Sequence, residues 1–128
     1  MSWFRLSSLI FTFWAAVFIF LPGFANEFIG IGYESSPHAE DWTRIVGLFA
    51  LAFAVALNEA HGSGDVGVRR TVARTVLAFA IPCAVLMTYW QIMPDRRWSR
   101  LDILTIGLLY LISFGLFRQS GLRRGSAQ

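Results

Sequence analysis

Lysine is absent from this chain, cysteine occurs once, and charged residues fill only 15% of its 128 positions. A soluble domain of this size carries about 25% charged residues. The deficit points to lipid as the solvent, and the 55% hydrophobic content and mean hydropathy of +0.55 agree with it. The lone Cys83 sits inside an apolar stretch, so no intrachain disulfide and no CxxC redox pair can form. That excludes the four-helix oxidoreductases that pass electrons between cysteine pairs and quinones. Cys83 reads as a packing residue, because apolar surroundings blunt thiol reactivity.

Mid-membrane charge is missing as well. Every Asp, Glu, Arg and His lies within about two helical turns of the end of an apolar run, where an ion-coupled pump needs an ionisable group at depth. The small multidrug transporters depend on a carboxylate in their first helix, and none stands in the first apolar run here. All eleven basic residues are Arg, and with eight acidic residues they give a net charge of +3. They gather at the ends of apolar runs rather than along one face, which favours membrane orientation over nucleic-acid binding.

What is present is four apolar runs, Leu6 to Leu21, Trp42 to Leu57, Val72 to Met93 and Leu101 to Phe117. Each is near the roughly 20 residues that a membrane-crossing helix needs. Backbone polar groups in hydrocarbon must find partners within the chain, and no run alternates as a barrel strand does, so all four are expected to be helices. The expected fold is all-α: one integral membrane domain, an antiparallel up-down four-helix bundle, with a flexible tail over 121–128. The first run is read as an uncleaved span. A signal peptide is the alternative, but Phe24 is bulky for a cleavage site and Trp14 and several Phe fill the run.

With four spans, one side carries Arg5, Arg69, Arg70, Arg74, Arg118, Arg123 and Arg124, and the other Arg44, Arg96, Arg97 and Arg100. The richer side is expected to be cytoplasmic, which places both termini there. Trp3, Trp42, Tyr89, Trp90 and Trp98 fall near span ends, where amphipathic rings prefer the headgroup region. In the second run Thr43, Gly47, Ala50, Ala54 and Asn58 share one face at helical spacing, and a stripe of small residues lets membrane helices approach closely. Gly47, Ala50, Ala54 and, in the fourth run, Gly107 are the expected packing positions. Pro82 inside the third run predicts a local kink.

Two polar clusters remain. The outer one comprises His38, Glu40, Asp41, Arg44, Arg100 and Asp102. One reading is structural: Asp41 and Asp102 favour helix N-termini, and Arg44 pairs with one of them across helices. The other is a ligand site anchored by Arg44 with Tyr89, Trp90, Gln91 and Asp102 around it. His38 with Glu40 and Asp41 lacks a metal-ligand spacing, so no metal is expected. The inner cluster comprises Asn58, Glu59, His61 and Arg74. It reads as a solvated helix end with a glycine stop, where Glu59 and Arg74 can pair. His38 and His61 fall on opposite sides and cannot both ligate one haem.

Leu21-Pro22-Gly23, the Ile29-Gly30-Ile31-Gly32 loop and Asp41-Trp42-Thr43-Arg44-Ile45-Val46-Gly47 resemble the small DoxX-like four-helix membrane proteins of bacteria. The resemblance covers nearly the whole chain in its four-span layout, with Arg44 and Gly47 as matching positions. It implies a multi-pass protein of the bacterial inner membrane and leaves redox or quinone-linked roles open. Fluoride channels and glutathione-binding membrane enzymes are excluded by motifs this chain lacks. The expected function is an accessory or assembly subunit packed against a larger membrane complex or as a homo-oligomer among membrane lipids. A binding or redox module for a lipophile such as a quinone or a lipid is the alternative, and a lipid-headgroup enzyme a third.

Overall fold

The computed structural model describes residues 2–28, 37–92 and 100–119, without the side chains of Phe28, Trp90, Arg100, Leu101 and Asp102. Among the described residues the chain is all helix, with no strand. Its five helices are α1 (Trp3–Phe20), α2 (Pro22–Phe28), α3 (Pro37–Gly62), α4 (Val66–Ile92) and α5 (Arg100–Gln119).

Local chemistry sets the ends of these helices. Ser2, with extended backbone, caps α1 by accepting from the Phe4 N–H at 3.2 Å. Pro22 ends α1, because a residue before proline is pushed out of the helical region, and Leu21 sits at φ −128°, ψ 54°. Proline also suits the first position of a helix, so the chain restarts at once as α2, with the Leu21 carbonyl accepting from the Ala25 N–H at 3.0 Å. This short helix lies where the sequence reads as loop. Asp65 caps α4: its Oδ1 accepts from the Gly67 N–H at 2.7 Å, and its own N–H donates to Ser63 Oγ at 3.1 Å. α4 therefore starts at Val66, six residues before the apolar run, and it remains helical through Pro82.

α1, the Val66–Tyr89 part of α4, and α3 are each long and apolar enough to cross a membrane. The apolar stretch of α5, Ile103–Gln119, is shorter. Many large apolar side chains face outward, among them Phe20 at 79% exposure and Phe13 at 63%. Contiguous apolar surface on that scale is costly in water and ordinary in lipid.

Inside, α1 and α3 are in close contact. A Cβ on Gly47 would come within 2.8 Å of Ile19 Cγ1 and 2.9 Å of Phe18 Cβ, so only glycine permits this approach. The face carrying Thr43, Gly47, Ala50 and Ala54 is buried, while Asn58 at its end is exposed. Ser8 Oγ donates to the Ala54 carbonyl at 2.7 Å, and Arg5 donates to Asn58 Oδ1, so the start of α1 lies beside the end of α3. α5 reaches the same place: Gln119 Oε1 accepts from the Trp3 N–H at 2.6 Å, and Gly115 lies under the Trp3 indole. α4 and α5 meet at Thr88 and Tyr110, whose hydroxyls are 3.1 Å apart. Gly107 departs from expectation. It is exposed with nothing within 4 Å of a built Cβ, and the close approach on α5 falls at Gly115 instead.

Candidate functional site

The packing is incomplete at one place. Where α1, α2, α3, α4 and α5 converge, a partly open cavity of about 200 Å³ remains, and its wall is almost wholly apolar. Bulky residues form its sides: Phe11, Trp14 and Phe18 from α1, and Phe79 and Met87 from α4. The Phe11 ring meets Trp14 edge-on at 5.3 Å between centroids and lies 6.4 Å from Phe79, so these walls brace one another. Ala25 and Ala50, too short to reach across, leave the space open. Val46, Cys83 and Leu109 complete the apolar lining.

Three polar side chains also border the cavity: Asn26, Thr43 and Thr105. Asn26 on α2 is fully buried. Its Oδ1 accepts from the Thr43 hydroxyl on α3, and its Nδ2 has no hydrogen-bond partner among the described residues. Thr43 Oγ1 also lies 2.9 Å from the carbonyl of Ala39, one turn back in its own helix. Leaving a buried amide donor unsatisfied costs about 1–3 kcal/mol.

Of the residues expected to form a ligand site, Arg44, Tyr89 and Gln91 do not border this cavity. Arg44 is exposed and pairs with Asp41 at 2.9 Å within its own helix, in an i,i+3 contact worth about 0.3–0.5 kcal/mol. It is the one ion pair among the described residues and lies within a helix; the side chain of Asp102, the other expected partner, is outside the described residues. A carboxylate three residues away on the same helix is always within reach, whereas a partner on another helix must be brought there by packing. Tyr89 is exposed and Gln91 buried, and neither borders the cavity. The side chains of Trp90, Arg100 and Asp102 lie outside the described residues, as do residues 121–128.

His38 is exposed and accepts from Trp42 Nε1 at 3.1 Å, its ring edge-on to the indole, and Glu40 is half-buried. Among the described residues no cluster of His, Cys, Asp or Glu can hold a metal. In the inner cluster Glu59, His61 and Arg74 are exposed and no Glu59–Arg74 pair forms, while Asn58 is held by Arg5. The Ala60 carbonyl there accepts from Arg69 Nε at 3.3 Å.

Sequence reasoning passed over Asn26 and Trp14, and each left a signal. Pro22 is a helix-start signal that places Asn26 on a helix rather than in a loop. Trp14 stands deep in its apolar run, away from the interfaces that account for the other tryptophans.

No known protein family, curated protein or solved structure matches this chain. The fold itself defines a class: an all-helical chain with three helices of membrane-crossing length and an apolar cavity between its helices.

Proposed function

We propose that this chain is a multi-pass membrane protein that binds a lipophilic small molecule in the cavity between its helices. The cavity carries this reading. At about 200 Å³ it exceeds the roughly 150 Å³ of an engineered apolar cavity that stays dry and takes up benzene, so a single substituted ring fits. An apolar void left unfilled forfeits the van der Waals contacts of its lining. A ligand restores those contacts. Because the cavity is partly open, a chain attached to the ring has a way out into the lipid.

The four-span arrangement, with both ends on the cytoplasmic side of a bacterial inner membrane, belongs to the same proposal. The seven-to-four division of arginines supports it, as does the contact of Trp3 with Gln119, which brings the start of α1 and the end of α5 together. α5 at 20 residues is about 30 Å long, although its apolar stretch, Ile103–Gln119, is shorter. Docking against a larger complex gains no comparable support, because outward apolar side chains are what lipid alone requires. The likeness to DoxX-like proteins is compatible with a lipophile-binding bundle.

Titration with α-methylstyrene, a one-ring hydrocarbon, tests the reading. With the methionine methyls labelled with carbon-13, the Met87 resonance in the cavity wall should shift and saturate, whereas in a folded Cys83→Phe variant, which fills the space, it should not move. A linear drift of equal size in both proteins would mean partitioning into detergent and would refute binding.

A further inference from the structure

We infer that the cavity opens sideways into hydrocarbon through a gap between α3 and α4, bounded by Val46 and Leu86, and that its ligand is a single-ring lipid whose apolar chain leaves by that gap. The inference rests on the lipophile-binding reading and adds to it a chemical class and a route.

Residues 63–65 join α3 to α4, and Arg69 Nε reaches back to the Ala60 carbonyl, so the two helices run antiparallel. The rings of Phe53 and Phe79 close the seam between them, with centroids 4.9 Å apart. Two helical turns bring a residue back to nearly the same face. Val46 stands two turns before Phe53, and Leu86 two turns after Phe79, so these are the next residues placed to meet across the seam. They leave it uncovered: Val46 is 40% exposed and Leu86 47%. One turn past Phe79, Cys83 is half-buried, and both it and Val46 border the cavity. The gap in the seam is therefore the mouth of the cavity.

The other sides are shut. Trp14 on α1, Thr105 and Leu109 on α5, and Ala25 and Asn26 on α2 all border the cavity and all are buried. Phe18 is half-buried, but it lies against Gly47 in the tight seam of α1 with α3.

The position of the mouth selects the ligand. Val46 and Leu86 fall within the apolar runs Trp42 to Leu57 and Val72 to Met93, and Phe49, beside Val46 on α3, is 59% exposed, so the mouth faces hydrocarbon. A cavity of about 200 Å³ holds a ring and leaves a long substituent outside. An apolar chain passing through the mouth stays in an apolar solvent throughout. A charged or strongly polar arm on the same path would lose its hydration without a partner.

The test uses decylbenzene, a ring with a ten-carbon chain, and protein whose valine and methionine methyls carry carbon-13. Nuclear Overhauser contacts should run from the ring protons to the Met87 methyl and from the chain protons to the Val46 methyls. Val55, 56% exposed on the same helix, serves as the control for contact with detergent. Val46→Trp, which narrows the gap, should weaken decylbenzene binding about tenfold, the effect of crowding the path of the chain, and leave α-methylstyrene binding within about threefold. Saturable binding of α-methylstyrene without binding of decylbenzene overturns the inference and leaves lipophile binding standing. So do ring contacts at Met87 with chain contacts no stronger at Val46 than at Val55, since the chain would then leave by another route. If α-methylstyrene does not bind at all, the underlying reading fails. The contacts in the unaltered protein decide the matter even if Val46→Trp does not fold.

Discussion

Replacing Gly115 with alanine should lower stability by about 1–3 kcal/mol, the usual cost of forcing extra volume into a packed site. The added Cβ would fall against Trp3 Cδ2 and Cε3, well inside van der Waals contact with the body of the indole. Trp3 is the first residue of α1, and its backbone N–H is held by Gln119 on α5 at 2.6 Å, so relief requires turning the indole out of its seat against α5. The cause is separable. In a Trp3→Ala background the same Gly115→Ala change should be nearly neutral, or slightly stabilising from alanine's better helix propensity. Denaturation by sodium dodecyl sulfate in mixed micelles measures all four proteins, and equal costs in both backgrounds would remove the indole as the cause.

Gly47→Val should cost at least as much and should also weaken ligand binding. The contacts that a Cβ at Gly47 would meet include the backbone nitrogen of Ile19 at 3.2 Å, besides Ile19 Cγ1 and Phe18 Cβ. Backbone cannot rotate aside as a side-chain tip can, so the relief open to the protein is to separate α1 from α3. Phe18 borders the cavity, and moving it changes the shape of the site. A cost near the upper end of about 1–3 kcal/mol is expected, with α-methylstyrene binding reduced in the fraction that folds. A variant as stable as the unaltered protein would show that α1 and α3 do not approach as described.

The legible part of this fold is what hydrocarbon imposes residue by residue. Apolar runs near membrane length mark the helices, and the spacing of Thr43, Gly47, Ala50 and Ala54 marks the buried face of α3. The helix ends were less legible, because they depend on single caps: Asp65 carries α4 through Arg69 and Arg70, which look like loop in a hydropathy reading. α2 was hidden by its seven-residue length and by Pro22-Gly23, which signal a turn as readily as a restart. Gly107 and Gly115 look alike in sequence, and only the placement of Trp3 on a neighbouring helix distinguishes them.

The cavity was illegible for a different reason. It is a shortage of volume shared among five helices, to which Ala25, Ala50, Asn26 and Cys83 contribute from positions far apart in the chain. The polar residues that stand together in sequence, Asp41 with Arg44 and His38 with Trp42, satisfy one another along the surface of α3. Proximity in sequence favours such local pairs, while a site lined from all five helices exists only after they pack.

Cys83 offers the most direct test that the cavity holds a lipophile in a bilayer, because it is the chain's single cysteine and lies in the cavity wall. In liposomes, its alkylation by N-ethylmaleimide, already slowed by the apolar surroundings, should slow further along a saturable curve as α-methylstyrene is added. An alkylation rate unchanged by α-methylstyrene at concentrations that saturate the Met87 shift would contradict occupancy of this cavity.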